Sequence, residues 1–116
     1  MNKITIYHNP RCSKSRQTLA LLEEHDVDPE IILYLETPPN ARDLKALLDK
    51  LGITPRDLLR TSESEYKEMK LANKDLPDED LIDAMVKAPK LIQRPIVVKG
   101  NKAVLGRPPE NVLSLL

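Results

Sequence analysis

A short apolar run, Ile4, Ile6 and Tyr7, is followed by a helical stripe and then by a second apolar run, residues 31–35. This order constrains the fold more than any other feature of the chain. A parallel pair of strands needs a long crossover, so strand, helix and strand in succession predict a βαβ unit. The first strand is expected at residues 3–7, with Ser15, Thr18, Leu19 and Leu22 on the inner side of the helix. Residues 31–35 are continuously apolar and read as a buried strand. Near the other end, residues 96–98 and 103–105 flank Gly100-Asn101, a two-residue hairpin signal. Pro108-Pro109 then opens an expected last helix with Val112, Leu113 and Leu116.

Between these halves lies a helical block. Asn40 is an N-cap candidate, Leu44, Leu47, Leu48 and Leu51 make an i, i+3, i+4, i+7 stripe, and Gly52 closes it. Thr54-Pro55 places a cap and an N1 proline before Leu58 and Leu59, in a short helix ending near Arg60. A further helical stretch is expected around residues 63–69. Asp78, Glu79 and Asp80 suit a helix start, with Leu81, Ile82 and Met85 as its apolar side before Pro89. The reading is a single α/β domain, residues 1–116: βαβ and ββα halves with a helical insertion at about 40–88.

The chain carries eighteen basic and eighteen acidic residues, so no net field calls for nucleic acid or an anionic membrane. Their distribution is uneven. All carboxylates but Glu110 lie between Glu23 and Asp83, while Arg11, Lys14, Arg16, Arg94 and Arg107 lie in acid-free ends. If those ends meet, they form a local site for a small anion; apart, they are solvated basic faces. No apolar run approaches the roughly 20 residues that span a bilayer, and MNKITIYHN has no signal-peptide core. One cysteine cannot form an internal disulfide, which fits a reducing, cytoplasmic setting.

That cysteine, Cys12, falls in the turn between the first strand and the first helix. Unpaired N–H groups at a helix N-terminus and nearby cations both favour a thiolate, hence a nucleophile. The bland alternative is a small apolar filler, as free cysteines commonly are. Ser15 stands where a second cysteine would complete a Cys-x-x-Cys motif, so the chain cannot resolve an oxidised Cys12 by itself. His8, four residues upstream, either tunes the thiol or merely ends the strand. One Cys and two His do not supply a zinc site, so no metal is expected.

Arg60, Arg94 and Arg107 each stand at an element boundary, the last two in Gln93-Arg94-Pro95 and Gly106-Arg107-Pro108. Arginine recognises tetrahedral oxyanions with a two-bond fork, where lysine offers a point charge. Arg94 and Arg107 flank the expected hairpin at one end and so can converge; each alone is more readily a surface arginine.

HNPRCSKSR, LYLETPP, GITPRDLLR, LIQRPIVV and GRPPE, in this order, resemble the glutaredoxin-dependent arsenate reductases over essentially the whole chain, in a shorter sister branch. The resemblance implies a thioredoxin/glutaredoxin-like fold and reduction of arsenate to arsenite through a cysteine–arsenic adduct. It further implies Cys12 as nucleophile, His8 as its modulator, and Arg60, Arg94 and Arg107 as arsenate ligands. Pro95 takes the place of the fold's cis-proline. The resemblance also implies glutathione as reductant and glutaredoxin as partner, with no bound cofactor. Two other classes stay open: an adaptor like the related Spx proteins that bind RNA polymerase, and a glutathione-dependent thiol oxidoreductase that does not use arsenate. Ser15 counts against the first, because those adaptors carry a Cys-x-x-Cys switch.

Overall fold

The computed structural model describes residues 3–116; Met1 and Asn2 lie outside the described residues. The chain divides into two compact units, Met1–Thr37 with Arg94–Leu116, and Pro38–Gln93.

The first unit is built on a mixed four-stranded sheet in the order β2-β1-β3-β4. β1 (Ile4–His8) and β2 (Glu30–Leu33) are parallel, joined through α1 (Ser13–Glu24), as the βαβ pattern requires. β3 (Ile96–Lys99) runs antiparallel to β1 and places Val97 opposite Ile6. β4 (Lys102–Leu105) returns along β3 through the Gly100-Asn101 turn, where Gly100 adopts φ 61°. That left-handed conformation is the one a two-residue hairpin turn needs.

Alternation along β1 sends Ile4, Ile6 and His8 to one face, and all three are buried. Ile4, Ile6 and Val97 join Leu22 of α1 with Val112 and Leu115 of the C-terminal segment in one core. Ser15 and Thr18 lie on the same inward stripe of α1 and are fully buried.

One expectation fails here. Residues 31–35 are not a buried strand. β2 is an edge strand spanning Glu30–Leu33, with Ile31 48% and Leu35 39% exposed. A continuous apolar run does not reveal whether a strand has neighbours on both sides. The last element is a 3-10 helix, Pro109–Leu115. With three residues per turn, Pro109, Val112 and Leu115 share one face and are buried, while Leu113 and Leu116 turn out to solvent.

The second unit follows its capping signals. α2 (Ala41–Leu51) starts at Asn40, whose side chain accepts from the Asp43 N–H at 2.8 Å, and ends at Gly52 with φ 69°. α3 (Pro55–Leu58) opens on a complete Thr54/Asp57 capping box. α4 (Ser64–Glu68) is a short exposed turn, and α5 (Asp78–Lys87) buries Leu81, Ile82, Ala84 and Met85. α2, α3 and the 3-10 turn Pro89–Leu91 all pack on α5. A bridge between Leu59 and Ile92 ties the exit of α3 to the strand-like segment before Gln93. The Arg60 N–H to Leu91 carbonyl and Gln93 N–H to Leu58 carbonyl bonds, 2.7 and 2.9 Å, flank that bridge. Among the described residues no helix is long and apolar enough to cross a membrane.

Candidate active site

Cys12 is the N-cap of α1, with extended backbone at φ −92° and ψ 123°. The turn Asn9-Pro10-Arg11-Cys12 closes with a bond from the Cys12 N–H to the Asn9 carbonyl, and the Cys12 carbonyl accepts the first helical bond from Arg16. Its side chain is half-buried and unpaired with any other cysteine. Pro10 suits this entry, because it fixes one dihedral of the turn.

Both ends of the β3–β4 hairpin arrive beside this thiol, because β3 pairs with β1. Arg107 places Nη1 3.9 Å from Cys12 Sγ and donates to the Arg94 carbonyl at 3.1 Å. Burial of the sulfur pushes the Cys12 thiol up. The Ser15 N–H, the Arg94 guanidinium and the Lys14 N–H oppose this and hold it below its ordinary value. The helix N-terminus and one arginine thus carry the activation read from the sequence. Arg16 acts elsewhere: its Nη1 donates to the Pro10 carbonyl at 2.8 Å and pins the turn. Arg11 is exposed, and its N–H donates to Asn9 Oδ1.

His8 is buried, its Nδ1 2.7 Å from Ser15 Oγ, and Ser15 Oγ also accepts the Asn9 N–H at 3.0 Å. Desolvation, helped by the Arg16 charge, lowers the His8 pKa from 6.5. His8 is therefore a neutral ring at neutral pH, held behind the helix turn that carries the thiol. The sequence presented Ser15 as a missing cysteine on the inner side of α1, with no partner for its hydroxyl. Its spacing to His8, seven residues across a strand-to-helix turn, gave no signal of the bond.

The Arg94–Pro95 bond is cis, as the resemblance implies, and so is Arg107–Pro108. Pro95 accepts the Gly106 N–H on its carbonyl at 2.9 Å. Gly106 was not singled out from sequence, yet a Cβ there would lie 2.5 Å from Thr18 Oγ1 and 2.7 Å from Pro95 Cγ. Only glycine lets the β4 exit pass so near α1. Arg60 lies in the second unit, where Nη1 contacts Gln93 Oε1 at 3.4 Å and Nε lies 3.4 Å from Glu63 Oε1. The first unit alone thus brings together Cys12, His8, Arg94, Pro95 and Arg107.

Beside the thiol-bearing turn, a cleft of about 340 Å³ is lined by His8, Arg11, Leu33 and Glu36 among others.

The model of the ArsC family matches residues 7–115. The chain is 56% identical over 115 residues to the uncharacterized protein YfgD of Escherichia coli K12, covering 98% of this chain and 97% of that one. It is 44% identical over 117 residues to an arsenate reductase of Neisseria meningitidis, covering both in full. Among solved structures, an arsenate reductase from Vibrio cholerae superposes with a TM-score of 0.96 at 50% identity, covering 99% of this chain and 98% of that one. A thiol at a helix N-cap, arginines reaching it from the β3–β4 hairpin, and full-length similarity in sequence and fold agree: the chain belongs to the ArsC family, with its thioredoxin-like fold.

Proposed function

We propose that this protein reduces arsenate to arsenite with electrons from glutathione and glutaredoxin. The observation that carries the reading is the Arg107 guanidinium 3.9 Å from the Cys12 sulfur at a helix N-terminus, a cationic seat for a tetrahedral oxyanion beside a lowered-pKa thiol. The arsenate reductases among its relatives support the substrate.

In the first step the Cys12 thiolate forms an S–As bond while one As–O bond breaks, and the oxygen leaves as hydroxide or water. Arsenic stays at +5. Arg94, Arg107 and, by the resemblance, Arg60 hold the remaining oxygens and offset their charge. A glutathione thiol then condenses on arsenic with loss of water. Glutaredoxin's thiolate takes the glutathione sulfur as a mixed disulfide, leaving the S–As electron pair on arsenic, now +3. Water releases arsenite and restores the Cys12 thiolate. Two external thiols are oxidised because the chain has no second cysteine to supply one.

The test is arsenate-dependent NADPH oxidation with glutathione, glutathione reductase and glutaredoxin, abolished in Cys12→Ser. Turnover with thioredoxin and its reductase alone would overturn the electron route. Reduction of glutathione mixed disulfides with none of arsenate would move the assignment to a general thiol oxidoreductase.

A further inference from the structure

Arg107 reaches the thiol from a turn whose carbonyls are held by side chains. Asn111, in the 3-10 helix that follows, donates from Nδ2 to the Leu105 carbonyl at 3.1 Å and to the Arg107 carbonyl at 3.2 Å. One amide nitrogen has two hydrogens, so it can serve both acceptors at once. The carbonyl between them, of Gly106, faces Thr18 Oγ1 at 3.3 Å, although that hydroxyl's shorter bond is to the Lys14 carbonyl at 2.8 Å. Asn111 thus spans the glycine at which the chain turns from β4 toward the helix. Asn111 is exposed and adds no apolar burial to the core, whose members in this segment are Val112 and Leu115.

We infer that Asn111 is a positioning residue that acts through Arg107. By fixing the two carbonyls on either side of Gly106 it sets the point from which the guanidinium extends to Cys12 Sγ. An arginine side chain is long and loses much rotamer freedom when held. A mobile root as well as a mobile stem would spread its charge over a wide volume, and the seat beside the sulfur would be filled for less of the time. This shares with the proposed function only the role of Arg107 as a cation beside the thiol.

The test uses no arsenate, so the two can fail separately. Alkylation of Cys12 is measured with iodoacetate, an anion, and with iodoacetamide, its neutral counterpart. The ratio of the two rates cancels the thiolate fraction and reports the cation at the sulfur. Asn111→Ala is expected to lower the ratio by about twofold to fivefold, the span of an exposed charge pair. Arg107→Ala should lower it at least as much, and adding Asn111→Ala to Arg107→Ala should change nothing more. Asn111→Gln, which keeps both donors on a longer stem, should recover part of the loss. Asn111→Leu, similar in shape and without donors, carries the test if the alanine variant does not fold. A purely structural role would slow or speed both reagents together. An unchanged ratio in the folded variants, or a further drop in the Arg107→Ala background, overturns the inference.

Discussion

His8 Nδ1 lies 2.7 Å from Ser15 Oγ, and both groups are buried beneath the turn that carries Cys12. The same oxygen also accepts the Asn9 N–H at 3.0 Å. One serine therefore joins the end of β1, the turn and the first turn of α1.

Ser15→Ala removes a buried hydroxyl and leaves the Asn9 N–H and His8 Nδ1 without it. Unfolding in urea should show a loss of about 1–3 kcal/mol. Ser15→Cys tests the same position chemically: it introduces a second thiol three residues from Cys12 and should allow an internal disulfide, read as thiol loss on oxidation.

His8 gives a pH dependence with a definite sign. Its folded pKa lies below 6.5, so between the two values the unfolded chain binds more protons. The stabilisation is present above the unfolded value and is lost as pH falls from 6.5 through the lower folded value. Urea midpoints should drop over that window, and His8→Gln should flatten the slope. A stability that rises as pH falls there would contradict a buried neutral His8.

Cys12 should react with iodoacetamide with a midpoint below the free-thiol value of about 8.5. Arg94→Ala should raise that midpoint, because the guanidinium favours the thiolate. A midpoint at the free-thiol value would leave Cys12 without the activation that the mechanism needs.

Lysine in place of Arg60, Arg94 or Arg107 keeps the charge and loses the fork. Under the proposed mechanism each change should raise the arsenate KM roughly tenfold to a hundredfold, the worth of one charge-assisted contact. Wild-type kinetics in all three variants would remove the arginines from substrate binding.

Gly106→Ala should be costly because its Cβ would sit 2.5 and 2.9 Å from Thr18 Oγ1 and Cγ2. Overpacking of this kind costs about 1–3 kcal/mol, measurable by thermal unfolding. Combining it with Thr18→Ala should recover part of the loss by removing both crowding atoms, although Pro95 Cγ at 2.7 Å remains.

The sequence alone determined the elements whose causes are local. Asn40 and Gly52 delimit α2 by capping, Thr54-Pro55 starts α3, and Gly100-Asn101 turns the hairpin, each within a few residues of its effect. The βαβ pattern also fixed the parallel pair and hence put Cys12 at a helix N-terminus. Tertiary structure decided what depends on neighbours distant in the chain. The edge position of β2 left Ile31 and Leu35 exposed, and a three-residue helical period chose Leu115 over Leu113 and Leu116 for the core. The pairing of β3 with β1 brought Arg94 and Arg107 to a thiol more than eighty residues away in sequence. The bonds of Ser15 to His8 and of Asn111 across Gly106 were likewise illegible, because a hydroxyl or an amide names its partner only when packing brings the two together.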